Sequence, residues 1–177
     1  MEDLSLHILD IAENSIRADA TLIAITITAD ASKNLLRIEV KDNGKGMDKE
    51  TLARVQDPFF TTKHKKTGLG IPLLTQAAEQ SGGTVLVDSA PGKGTKVAAT
   101  FQWDHVDRPP IGSMTETVML LIAGHPDRDY IYEEQEGSRV FRIDTRELKA
   151  DLENVPITEF AVLNAIRSEL KENSKLR

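Results

Sequence analysis

Apolar and polar positions follow two periods along this chain. Leu4, Ile8, Ile11, Ala12, Ser15 and Ile16 recur at helical spacing, so small and apolar side chains fill one face as far as Arg17; this predicts an amphipathic first helix. Residues 21–28, rich in β-branched side chains, and residues 35–40 read as two strands joined by the polar turn 29–34. Asp48 ahead of residues 49–55 predicts a short capped helix, so the glycine turn before it leads from strand into helix. Residues 57–68 have no period and read as a loop. Pro72 fits only the first turn of a helix, where its missing N–H costs nothing, which starts a helix at Gly70 or Ile71; Ser81-Gly82-Gly83 ends it. Residues 84–88 and 96–103 then read as strands flanking the turn 89–94.

Paired prolines and a glycine make residues 104–115 a natural boundary. The expected organisation is a first domain over 1–103, a linker over 104–115 and a small α/β extension over 116–177. In the extension the pattern predicts an apolar strand over 117–123, a hairpin over 130–143 and two short helices. Asp144 with Glu147 could form a capping box for the first helix, while Phe160, Leu163, Ile166 and Leu170 make an apolar stripe on the second, suited to docking a partner.

With 177 residues, 40% hydrophobic and 28% charged, the chain can bury a proper core in one domain with a small appendage. A formal net charge of -6 and no long basic run argue against a nucleic-acid partner held by phosphate contacts. Cysteine is absent, which excludes disulfides, thiol catalysis and cysteine-ligated zinc; a metal would need oxygen or imidazole. The longest apolar stretch, 118–123, is far too short to cross a bilayer, and the start lacks the marks of a signal peptide, so the expected location is cytoplasmic, without a membrane partner.

Several short motifs carry chemistry. His7, Asp10, Asn14 and Arg17 fall three or four residues apart and line one polar stripe of the first helix. Asparagine is a poor helix residue, because its amide competes for backbone hydrogen bonds, and its oxygen suits magnesium; a solvated helix face explains the stripe equally well. Asp42-Asn43-Gly44 is the commonest hairpin turn, but a helix, not a strand, is expected after it. In that setting the Asp42 carboxylate could accept from the exocyclic amine of a base, selecting adenine, while Gly44 and Gly46 let backbone approach the ring. Gly68-Leu69-Gly70 precedes a helix start, where free N–H groups favour phosphate oxygens. Lys63, His64, Lys65 and Lys66 stand just upstream to offset a triphosphate, although a solvated loop is the ordinary reading. Phe59 and Phe60 would anchor the loop as a hinged lid, and Gly92-Lys93-Gly94-Thr95 alone says only hairpin.

Taken in order, AENSIRADAT, DNGKGM, DPFFTTK, TGLGI and APGKGTKVAATF resemble the N box, first glycine box, F box, second glycine box and final glycine box of GHKL ATPases. The likeness spans Leu4 to about Phe101 and resembles histidine-kinase catalytic domains in particular. It implies an α/β (α+β) two-layer sandwich, a mixed, largely antiparallel sheet covered on one face by helices, with ATP or ADP held between helices and a mobile lid. By the resemblance, Asn14 binds magnesium, Arg17 and Lys63 approach the phosphates, Asp42 reads adenine, Gly68, Leu69 and Gly70 wrap the phosphates, and Thr95 supports the base. Gly44, Gly46, Met47, Phe60, Thr67 and Ile71 complete the implied nucleotide pocket. Hydrolytic relatives such as MutL place a glutamate one helical turn before the asparagine as general base; Asp10 holds that place here, with Glu13 the second candidate. Only a few residues precede the N box, so the resemblance predicts a free-standing module, like anti-sigma kinases, whose protein partner or phosphoacceptor is on another chain. The implied activity is magnesium-dependent ATPase or protein kinase; the alternative is a nucleotide-dependent interaction switch with little turnover.

Overall fold

The computed structural model describes residues 3–55 and 70–176. Helix α1 (Leu4–Arg17) starts at Asp3, whose carboxylate accepts from the Leu6 amide, and buries Leu4, Ile8, Ile11 and Ala12 on the expected face. Strands β1 (Leu22–Asp30) and β2 (Leu35–Asp42) pair antiparallel around one 3-10 turn. Burial along β1 alternates without exception, so Ile23, Ile25, Ile27 and Ala29 all face one side. Each fully buried isoleucine there contributes about 1.5–3 kcal/mol of transfer free energy, which outweighs the cross-strand preferences of the opposite face.

Helix α2 (Lys49–Arg54) is capped by Asp48, as expected, through the Thr51 amide at 2.7 Å. Helix α3 (Gly70–Gln80) begins at the expected glycine and buries Pro72 in its first turn. Strands β3 (Val85–Ser89) and β4 (Thr95–Gln102) follow, then helix α4 (Met114–Gly124), hairpin β5 (Asp129–Glu136) and β6 (Arg139–Asp144), and helices α5 (Thr145–Asp151) and α6 (Phe160–Asn173).

The six strands among the described residues join one sheet in the order β3-β4-β2-β1-β5-β6, antiparallel at every step except β1–β5. Helix α1 lies over β1 and β2, α3 over β3 and β4, and α4 over β5, while α6 packs on α4. This is the two-layer, mixed and largely antiparallel sandwich that the sequence implies. Residues 104–115 run past the start of α1, where the Leu4 and Ser5 amides donate to the Pro110 and Ile111 carbonyls at 2.9 and 2.8 Å. Buried side chains from that segment, Ile111 and Met114, and from either side of it, among them Phe101 and Tyr132, belong to one core.

Three local expectations need correction. Residues 117–123, expected as a strand, lie within α4. A short run apolar on every side has no period to separate strand from helix, and the choice falls to its surroundings. Ser113 caps the helix through the Glu116 amide, and Met114, Val118, Leu121 and Ile122 are buried in its packing between α1 and α6. At α5, Asp144 is the cap, but Glu147 pairs with Arg142 instead of completing a box. On α6, which at 14 residues is no short helix, Ile166 and Leu170 are buried whereas Phe160 is 77% exposed, because it stands at the helix start beyond the packed turns.

Candidate nucleotide site

Asp42 ends β2 on its buried side, and three protein groups grip its carboxylate. The Gly44 amide (2.8 Å) and the Thr95 amide (3.1 Å) donate to Oδ1, and the Ser15 hydroxyl donates to Oδ2 at 2.6 Å. Hydrogen bonds to an ionised acceptor are the strong ones, so this carboxylate ties α1, the turn after β2 and the start of β4 to one point. A carboxylate offers about four lone-pair sites, so Asp42 retains capacity for one further donor.

Asn43 supports the turn from the other side. Its Oδ1 accepts from the Thr21 and Leu22 amides, both at 2.9 Å, and its Nδ2 donates to Thr21 Oγ1. The turn then passes close to the end of α1, with the Lys45 amide on the Ala18 carbonyl at 2.8 Å. Gly46 has φ +69°, and a Cβ there would stand 2.0 Å from the Ala90 carbonyl oxygen. A side chain is therefore excluded on both conformational and steric grounds. The expected close approach of Gly44 and Gly46 to a ring is, within the protein, an approach to the backbone at Ala18 and Ala90. Met47 is held by its amide on Ser89 Oγ at 2.9 Å, and the same hydroxyl meets Thr95 Oγ1 and the Gly94 carbonyl. Thr95 thus supports the floor of the site through both its amide and its hydroxyl.

On α1, Asn14 is half-buried and Arg17 is exposed, with Arg17 Nη1 donating to Asn14 Oδ1 at 3.2 Å. Asp10 stands beside the first residue of α3: a Cβ on Gly70 would lie 3.2 Å from Asp10 Cβ and 3.4 Å from its Oδ2. A carboxylate at a helix N-terminus is favoured by the backbone dipoles there. Asp10 and Gly70 are thereby brought together at the start of α3. Phe59, Phe60, Lys63, His64, Lys65, Lys66, Thr67, Gly68 and Leu69 lie outside the described residues. His7 is buried, at 6% exposure, on the core side of α1.

For magnesium, the donor set decides the fit. Among the described residues, no three Asp, Glu or His side chains gather into a metal cage. The oxygen available is the Asn14 amide, and one hard protein donor suits a cation that takes its remaining ligands from phosphates and water. Ser15 and Ser89 were missed in the sequence. Ser15 sits next to Asn14 at a small-residue position of the apolar face, which hides its polar role; Ser89 opens the glycine turn, where a side-chain bond to a distant amide leaves no local mark. A groove of roughly 300 Å³ lined by Ala29, Asp30, Trp103 and Glu136 lies at the opposite end of β1 from Asp42 and takes no part in this site.

Compared with known proteins, residues 2–105 match the family described as histidine kinase-, DNA gyrase B-, and HSP90-like ATPase. The chain belongs to that family. It is 38% identical over 93 residues to the sensor histidine kinase ZraS of Escherichia coli O157:H7, a match covering 52% of this chain and 20% of that protein. It is 37% identical over 109 residues to the sensor protein kinase FleS of Pseudomonas aeruginosa, covering 62% of this chain and 27% of that one. The chain thus spans only about a quarter or less of these relatives. Its fold is also similar to the crystal structure of the N-terminal domain of a DNA repair protein, with a TM-score of 0.53 at 13% identity, covering 81% of this chain and 52% of that one. The matched region is an ATP-binding, histidine-kinase-like domain.

Proposed function

We propose that this protein binds magnesium–ATP between α1, the Asp42 turn and the start of α3, and passes or releases the γ-phosphate under the control of a protein partner in a signalling or regulatory step. The observation that carries this reading is the buried Asp42 carboxylate, fixed by Ser15, Gly44 and Thr95 with a lone pair to spare. That lone pair is the acceptor for the adenine amine. Asn14 would hold the magnesium, which supplies charge neutralisation on the phosphates. Arg17, exposed at the end of α1, would meet the phosphates, with Lys63 and Gly68-Leu69-Gly70 closing around them. His7, buried in α1, is unsuited to accept a phosphoryl group, so the acceptor is a side chain outside this helix. The place of action is the cytoplasm; no helix among the described residues is long and apolar enough to cross a membrane.

A second reading, an interaction switch that binds ATP with little turnover, is favoured by one observation. Asp10, shorter by a methylene than a glutamate, rests beside the first residue of α3. There it supports the helix start, and ordering a water for attack demands placement that a shorter side chain does not readily supply. Calorimetric titration of the purified chain with ATP and ADP, with and without magnesium, tests the shared core of both readings. Binding weakened at least about tenfold in Asp42→Asn, with GTP not bound, is expected; each lost charge-assisted hydrogen bond is worth about 1.5–3 kcal/mol. Absence of heat from any adenine nucleotide would sink both. Turnover abolished by Asp10→Asn would decide for the enzyme over the switch.

A further inference from the structure

The ATP site is joined to the C-terminal part of the chain by a bridge of side chains. His125 follows α4, and its Nε2 meets Glu13 Oε1 at 3.3 Å. A carboxylate can only accept, so Nε2 carries the proton and donates. The other oxygen of the same carboxylate, Oε2, faces Arg17 Nη2 at 4.0 Å, and Arg17 Nη1 donates to Asn14 Oδ1 at 3.2 Å. The loop bearing His125 is itself fixed, since Tyr130 Oη donates to the His125 carbonyl at 3.3 Å and the Asp129 amide bonds the Thr21 carbonyl at 2.8 Å. Four residues thus form the series His125, Glu13, Arg17, Asn14, whose first member is 112 positions from Glu13 in sequence and outside the region matched by the family.

We infer that His125 is a positioning residue for the magnesium–phosphate end of the site, acting through Glu13 on Arg17 and so on Asn14. This rests on the proposed nucleotide reading and adds its regulation by the C-terminal region. The reasoning concerns where the Arg17 guanidinium resides. Its bond to Asn14 Oδ1 competes for the oxygen that a magnesium ion would take. Glu13 Oε2, already at the edge of ion-pair distance, is the second station to which the guanidinium can turn, leaving Oδ1 to the metal and one face of the fork to a phosphate. That station is available only while His125 holds Glu13 by its other oxygen. His125 and Glu13 are each about one-third exposed and Arg17 more so. Screening therefore makes the coupling modest, and its effect falls on the magnesium-dependent part of ATP affinity.

The test compares the full chain with His125→Ala, His125→Gln and Glu13→Gln by calorimetry with ATP, once with magnesium and once in EDTA. The readout is the ratio of the Kd in EDTA to the Kd with magnesium. His125→Ala and Glu13→Gln are expected to lower this ratio by about two- to fivefold, the range for partly exposed ion pairs. His125→Gln, whose amide can still donate to Glu13, is expected to retain it. An unchanged ratio in His125→Ala, or a ratio lowered equally in His125→Gln, overturns the inference while leaving nucleotide binding intact. If His125→Ala fails to fold by circular dichroism, Glu13→Gln decides on the same criterion. No ATP binding by the parent chain would overturn both this inference and the reading it rests on, a result distinct from either of the others.

Discussion

Gly46 shows how closely a single residue can be specified by the site around it. Its φ of +69° and the 2.0 Å gap between a would-be Cβ and the Ala90 oxygen act together, whereas Gly92, at φ +73°, has nothing within 4 Å of its would-be Cβ. Gly92→Ala carries only the left-handed backbone cost, about 1–2 kcal/mol, and Gly46→Ala adds the displacement of the turn between β3 and β4. Urea unfolding is expected to show Gly46→Ala as the more destabilised of the two by at least about 1 kcal/mol, with weakened ATP binding in that variant alone. Equal midpoints would mean that the turn relaxes freely. At this scale the sequence was informative about Asp42 and blind to Ser15. The aspartate stands in a recognisable triplet, but the serine that grips it is 27 positions away, and no local pattern reports a bond of that separation.

Elements were legible where they have a period and a boundary signal. Helix α1 has the period, in its spaced apolar face, and α3 has the boundary signal, in Pro72; each lies where the sequence puts it. Helix α4 has an apolar run without a period, so its helical state depends on the slot between α1 and α6. The junction of β6 with α5 is held by charge. Asp144 Oδ1 accepts from the Arg146 amide and Nε, both at 3.0 Å, and Oδ2 accepts from Arg142 and Arg146, both at 2.7 Å. The hydrogen bonds from Arg146, against the opposing effect of burial, bring this carboxyl from its usual 3.8 to about 2. A depressed folded-state value means stability that is present above 3.8 and disappears as pH falls through about 2. Asp144→Asn is therefore expected to be less stable than the parent by at most about 2 kcal/mol at pH 6, with the gap narrowing below pH 4. Urea midpoints measured across that range check the sign; a gap that widens in acid would refute the assignment.

Across the whole molecule, β5 lies along the full edge of β1, from Leu22 opposite Asp129 to Ala29 opposite Glu136, and α4 covers a side of α1. The C-terminus is secured too. The buried Glu134 accepts from Tyr132 Oη at 2.6 Å, from the Ser174 hydroxyl and from the Lys175 amide at 3.0 Å. A chain ending at Trp103 would lose all of this and leave β1 as an open edge with its helix half uncovered. Such a chain is expected to lack a cooperative thermal transition and to bind the dye ANS; a sharp reversible transition with normal ATP affinity would instead show that residues 1–103 fold alone.

By itself the sequence determined the elements with a period of their own and the ordered motifs that mark the ATP-binding family, because periodicity, caps and turn residues act over a few neighbouring positions. Only the tertiary structure decided that 117–123 is helical, that Ser15 holds Asp42, and that β5 and β6 extend the same sheet. The link from His125 to Glu13 belongs with these. Each depends on which distant segments the folded path brings together, and an apolar run or a lone polar side chain is compatible with many such paths until packing selects one.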